Sequence, residues 1–123
     1  MKDGKLIIAV DFDATITNTH FPKCGELNEG CKETIEALKA KGHQVFLWTC
    51  RSDDYFMKAV FFCKENGLEL DGYNKSPQTG FKYSGKEFAD IYIDDSAVGA
   101  PLKPDGTVDW IAVSNWLQMN GVL

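Results

Sequence analysis

Two pairs of aspartates hold most of the chemistry this sequence can do. Asp11 and Asp13 follow the apolar run Leu6 to Val10, and Asp94-Asp95 follows the apolar run Ile91-Tyr92-Ile93. A short continuous apolar run reads as a buried strand, and open α/β folds bind ligands beyond the carboxyl ends of their strands. Four carboxylates gathered at two strand ends repel one another. At about 4 Å and an effective dielectric near 20, each like-charged pair costs about 4 kcal/mol, so the cluster must take up protons or a cation. Oxygen-only ligands suit a hard ion, and Mg²⁺ typically takes one or two carboxylates and leaves positions for phosphate oxygens. A single Asp after a strand more commonly caps a turn; four, with the residues that follow, point to a metal-assisted site.

A third apolar run, Gln44-Val45-Phe46-Leu47-Trp48, ends at Thr49, whose hydroxyl can donate to a phosphoryl oxygen. Arg51 can clamp a phosphate through paired N–H groups, or pair on the surface with Asp53 or Asp54. Lys86 precedes the strand that ends in Asp94-Asp95 and can bring an ammonium toward the site; Lys82, just upstream, is the alternative. Cys50 lies between Thr49 and Arg51, but the nearby Asp53 and Asp54 oppose a reactive thiolate.

The order D-x-D-x-T, apolar strand ending in Thr, Lys, then apolar strand ending in Asp-Asp resembles the haloacid dehalogenase-like phosphohydrolase superfamily. Within it the chain is similar to a small family of capless hydrolases, most specifically through the stretch from Gly42 to Arg51 and the stretch from Ala89 to Asp95. The resemblance implies a Mg²⁺-dependent phosphomonoesterase. Asp11 is then the nucleophile that forms an aspartyl-phosphate, and Asp13 the general acid and base. Thr49 and Lys86 hold the transferring group. Asp11, the main-chain carbonyl of Asp13, and Asp95 hold the ion, with Asp94 acting directly or through a water. Ala14 departs from the family pattern, which has Gly there, so a positive φ at this position is less comfortable.

Two other classes compete. Receiver domains gather carboxylates, Mg²⁺, Thr and Lys on a similar sheet edge and accept phosphate without hydrolysing it, but their acidic pair lies on the first strand and their phosphorylated Asp on a later one. A fold of the same kind retained as a non-catalytic binding module is the other, because function resides in the site and not in the fold.

The elements that position these residues alternate between strand and helix, which predicts a Rossmann-like three-layer α/β sandwich with a central, mainly parallel sheet. Asn28 is expected to cap a helix to about Lys41 that buries Cys31, Ile35 and Leu38 and stops at Gly42. Ser52 or Asp53 caps a second with Phe56, Val60 and Cys63 inward, and Asp109 caps a third with Trp110, Val113 and Leu117 on one face. A short strand near Leu70 to Tyr73 and an edge strand over Ala97 to Leu102 are also expected. The 123 residues form one domain. Neither interval between the motifs has room for a cap; by the resemblance, such proteins take large substrates or complete their sites with a neighbouring subunit, and the loop Thr17 to Leu27, with Phe21-Pro22, is the expected flap.

A net charge of −5 disfavours broad nucleic-acid contact. A phosphorylated small molecule is the expected partner. No run approaches the ~20 apolar residues of a membrane span. Without a signal-like segment the expected location is cytoplasmic, and the four cysteines lack the paired spacing of a zinc site or a disulfide framework.

Overall fold

The computed structural model describes residues 4–78 and 85–123. Three apolar runs form the parallel sheet expected from the sequence: β1 (Ile7–Val10), β2 (Gln44–Leu47) and β3 (Ile91–Ile93), in spatial order β2-β1-β3. Ile8 pairs with Val45 on one side and with Ile91 on the other. The chain therefore leaves β1 toward one neighbour and returns later to the opposite one, and the reversal opens a crevice beyond the carboxyl ends of β1 and β3.

Alternation along the strands divides the apolar side chains between two faces. Ile8, Val10, Val45, Leu47 and Ile93 join the main core with the buried sides of α1 (Cys31–Ala40), α2 (Asp53–Glu65) and α3 (Trp110–Met119). Ile7, Ala9 and Phe46 face the other way, under Ala89, Trp48 and Tyr92. The described helices thus share one face. The opposite face is covered by non-helical residues on the path from β2 to β3. The Rossmann-like α/β class is as expected, and Leu70 to Tyr73 contributes one parallel bridge, Leu47 to Tyr73, beside β2.

Two expectations need correction. Asn28 does not cap α1, which begins three residues later behind Gly30. Its buried amide instead donates to the carbonyls of Thr15 (3.1 Å) and Val108 (2.7 Å) and accepts from Lys103 Nζ (2.6 Å). A buried amide has to be satisfied, and these partners satisfy it better than a helix end open to water. Gly30 takes φ 84°, and a Cβ there would lie 3.2 Å from Trp110 Cβ, so glycine is what lets α1 and α3 approach. The second correction is at Ala97 to Leu102, which forms turns with a single antiparallel bridge from Leu102 to Val108 and no edge strand. Gly99 at φ 80° and Pro101 oppose a continuous ladder there.

The other caps follow the sequence. Gly42 ends the first helix at φ 92°, and Asp109 accepts from the N–H groups of Ile111 and Ala112 at the start of α3. Trp110, Val113 and Leu117 are buried while Trp116 is 53% exposed. No described helix is long and apolar enough to cross a membrane.

Asn28 ties the turn after β1 to the approach of α3, which makes it a test of the fold around the site. Asn28→Ala removes the side-chain donor to the buried Val108 carbonyl and the acceptor of the Lys103 ammonium, and leaves the Thr15 carbonyl to Trp110 Nε1 alone; it is expected to cost about 2–4 kcal/mol in urea unfolding. A change below about 0.5 kcal/mol would show that the junction is not structural.

Candidate active site

The carboxyl ends of the strands are held together by main-chain bonds that continue past the sheet. Asp11 N–H donates to Ile93 O, and Trp48 N–H donates to Val10 O, each at 2.9 Å. Side chains following all three strands are therefore brought to one edge. One carboxylate oxygen from each of Asp11, Asp94 and Asp95 lies within 4.8 Å of the others. Thr15 Oγ1 donates to Asp11 Oδ2 at 3.3 Å, and the Thr15 carbonyl is itself fixed by Trp110 Nε1 at 2.7 Å. Asp94 Oδ1 accepts from Ser96 N–H.

Burial, the charge of Asp94 and the Asp95 side chain push Asp11 up to about 8 from an ordinary 3.8. Desolvation, with Asp95 adding to it, also raises Asp94. Burial is the larger cause of both shifts, and the neighbouring carboxylates add to it. A divalent cation accepting one oxygen from each would remove the repulsion, and an all-oxygen donor set fits a hard ion such as Mg²⁺.

Thr49 follows β2 on the same edge. Asn74 holds it from both sides: its Oδ1 accepts from Thr49 N–H at 2.7 Å and its Nδ2 donates to Thr49 O at 3.0 Å. Thr49 Oγ1 accepts from Arg51 N–H at 3.1 Å, which leaves the hydroxyl proton to be donated outward. Asn74 was not legible as a site residue. Its φ of 55°, a conformation Asn tolerates better than most residues, belongs to a turn whose purpose appears only with Thr49 beside it.

Asp13 turns away from the other acids. Its carboxylate takes a bidentate pair from Arg51, Nη2 to Oδ1 at 2.7 Å and Nε to Oδ2 at 2.9 Å. Arg51 thus follows neither reading left open by the sequence, a phosphate clamp or a surface pair with Asp53 or Asp54: its side chain is 1% exposed, and a cation this buried needs a partner in the interior. The hydrogen bonds it donates to Asp13 raise the Arg51 pKa further. Every guanidinium N–H already has an acceptor, so in this arrangement none is spare for a phosphate. Ala14 adopts φ 56°, a left-handed conformation that costs a residue with a Cβ about 1 kcal/mol. Bonds from Ala14 N–H to Thr19 O and from Val108 N–H to Ala14 O hold it there.

Lys86 Nζ lies 4.8 Å from the ring centroid of Tyr92, on the strand that carries Asp94-Asp95. Lys82 lies outside the described residues. Cys50 is exposed, whereas Cys31 and Cys63 are buried, and burial pushes the Cys63 thiol up to about 12 and Cys31 higher still. Phe21, in the expected flap, packs edge-on against Tyr55 of α2 with centroids 5.0 Å apart, and the bridge from Thr17 to Leu27 closes the loop.

Fold and site together define a small Rossmann-like α/β protein with an acidic cluster at the sheet's switch point. It is similar to the solved structure of a conserved protein coded by a locus of Bacteroides thetaiotaomicron, with 32% identity over 94% of this chain and 92% of that one and a TM-score of 0.79. The chain belongs to the family of that protein. No family model and no curated protein matches it.

Proposed function

We propose that the protein is a Mg²⁺-dependent phosphomonoesterase working through an aspartyl-phosphate on Asp11. The observation that carries this reading is the meeting of Asp11, Asp94 and Asp95 within 4.8 Å at the carboxyl edge. Beside it, Thr49 has a hydroxyl proton to donate, and Asp13, in the turn that follows Asp11, has its carboxylate held by Arg51. Asp11, Asp94 and Asp95 would hold the ion, with the Asp13 main-chain carbonyl as a further oxygen. When bound, the ion neutralises charge on the phosphoryl oxygens and on the acids themselves.

The protein's own groups do the rest. An Asp11 oxygen attacks phosphorus in line, the P–O bond to the leaving group breaks, and Asp13 gives the departing oxygen its proton. Thr49 donates to an equatorial oxygen, and Lys86 or Lys82 supplies positive charge. Water then attacks the aspartyl-phosphate, Asp13 takes its proton, and Asp11 and inorganic phosphate are released. The proton gained in the second half replaces the one given in the first.

A panel of phosphorylated small metabolites with Mg²⁺, read as released phosphate against an Asp11→Asn blank, tests the reading. Release from at least one sugar phosphate, nucleotide or related ester, absent from the blank, is expected. Equal background in both proteins across the panel would defeat the proposal.

A further inference from the structure

Beyond the carboxylate cluster, the densest polar junction in the described residues surrounds Arg51. Besides its pair with Asp13, Nη2 donates to the carbonyls of Pro22 (3.1 Å) and Lys23 (3.0 Å), and Nη1 to Tyr55 O (3.3 Å) and, at 3.9 Å, to Cys24 Sγ. The guanidinium carbon sits 4.8 Å from the Phe12 ring centroid and 5.2 Å from that of Phe21. One buried cation therefore joins the turn after β1, the loop 17–27 and the first turn of α2, while its own N–H holds Thr49 Oγ1. An exposed pair would contribute little, but a buried bidentate one fixes the carboxylate in angle as well as in distance.

We propose that Arg51 is a positioning residue for Asp13: it sets where the proton-transferring carboxylate lies and couples that place to the loop 21–24. This rests on the phosphatase reading above and deepens it. Arg51 touches no substrate and exchanges no proton, since a guanidinium does not ionise in proteins. Its effect falls on the step in which Asp13 gives a proton to the leaving oxygen, because the two bonds from Arg51 fix where the Asp13 carboxyl oxygens lie and that transfer depends on their place. An activated aryl ester needs little protonation to depart, so its phosphoryl transfer is nearly indifferent to the pair. An alkyl ester depends on it. A purely structural arginine would affect both alike.

The test compares kcat/KM, which reports the phosphoryl-transfer half, for 4-nitrophenyl phosphate and for the best alkyl phosphate of the metabolite panel. Wild type, Arg51→Ala and Arg51→Lys are measured in Mg²⁺, with circular dichroism as the check on folding. Arg51→Ala is expected to lose roughly 10²-fold on the alkyl ester and less than about 5-fold on the aryl ester, in line with the usual size of general-acid catalysis. Millimolar guanidinium is expected to restore about 10-fold of the alkyl activity. Arg51→Lys, a point charge without the planar fork, falls between and keeps the comparison available should the alanine variant not fold. A folded variant that loses both esters equally, or gains nothing from guanidinium, overturns the positioning role and leaves the phosphatase reading intact. A wild-type protein inactive on the entire panel overturns both.

Discussion

Asp11→Asn is expected to reduce phosphate release by at least about 10³-fold and, in the same protein, to raise the unfolding temperature of the metal-free form. The two effects have one origin. Asp11 is buried and faces Asp94 and Asp95, and burial first and these neighbours second push it up to about 8. An amide of the same shape removes that repulsion while losing the oxygen that must bond to phosphorus. Thr15 Oγ1, which donates to Asp11 Oδ2, can donate equally to an amide oxygen, so the local turn keeps its bond. At pH 8 the variant is expected to be about 1–3 kcal/mol more stable in urea than the metal-free wild type. A variant that kept a tenth of the wild-type kcat would exclude Asp11 as the nucleophile. One that was inactive but destabilised would mean that the carboxylate serves the fold and that the cluster is not crowded as described.

The contrast between what the sequence revealed and what it concealed follows from the range over which each interaction acts. The three strands were legible because buried parallel strands are written as continuous apolar runs, and Asp11, Thr49, Asp94 and Asp95 were legible because each stands just past the end of such a run. Local periodicity also gave the inward faces of α1 and α3. What could not be read was every partner set by distant chain. Arg51 meets Asp13 across 38 residues and Asn28 meets Val108 across 80. In each case the near partners in sequence, Asp53 or Asp54 for Arg51 and a helix end for Asn28, offered a plausible local answer that burial overruled. Asn74 failed for the same reason, since its value lies in gripping Thr49 from the neighbouring bridge. Ala97 to Leu102 misled differently. Its apolar residues read as a strand, but Gly99 and Pro101 break the ladder, and Val98 ends fully exposed.

Metal and pH are expected to act on stability through the same three acids. In the unfolded chain Asp11 loses its proton near 3.8, while in the folded chain it holds that proton to about 8. Between those values the folded state binds more protons than the unfolded one, so stability falls as pH rises. The contribution is complete below about pH 4 and is lost progressively toward pH 8; Asp94, also raised, adds in the same direction. After allowance for solvent screening, the metal-free protein is expected to be about 2 kcal/mol less stable at pH 8 than at pH 5. A cation held by Asp11, Asp94 and Asp95 competes with that proton, so Mg²⁺ is expected to stabilise little at pH 5 and strongly at pH 8. Thermal unfolding in excess chelator and in Mg²⁺ at both pH values reads this directly, and phosphate release measured in parallel is expected to vanish in chelator. A bound ion would offset a repulsion that grows as Asp11 loses its proton. A difference between Mg²⁺ and chelator that is the same at pH 5 and pH 8 would break this linkage, and full turnover in chelator would remove the metal from the mechanism.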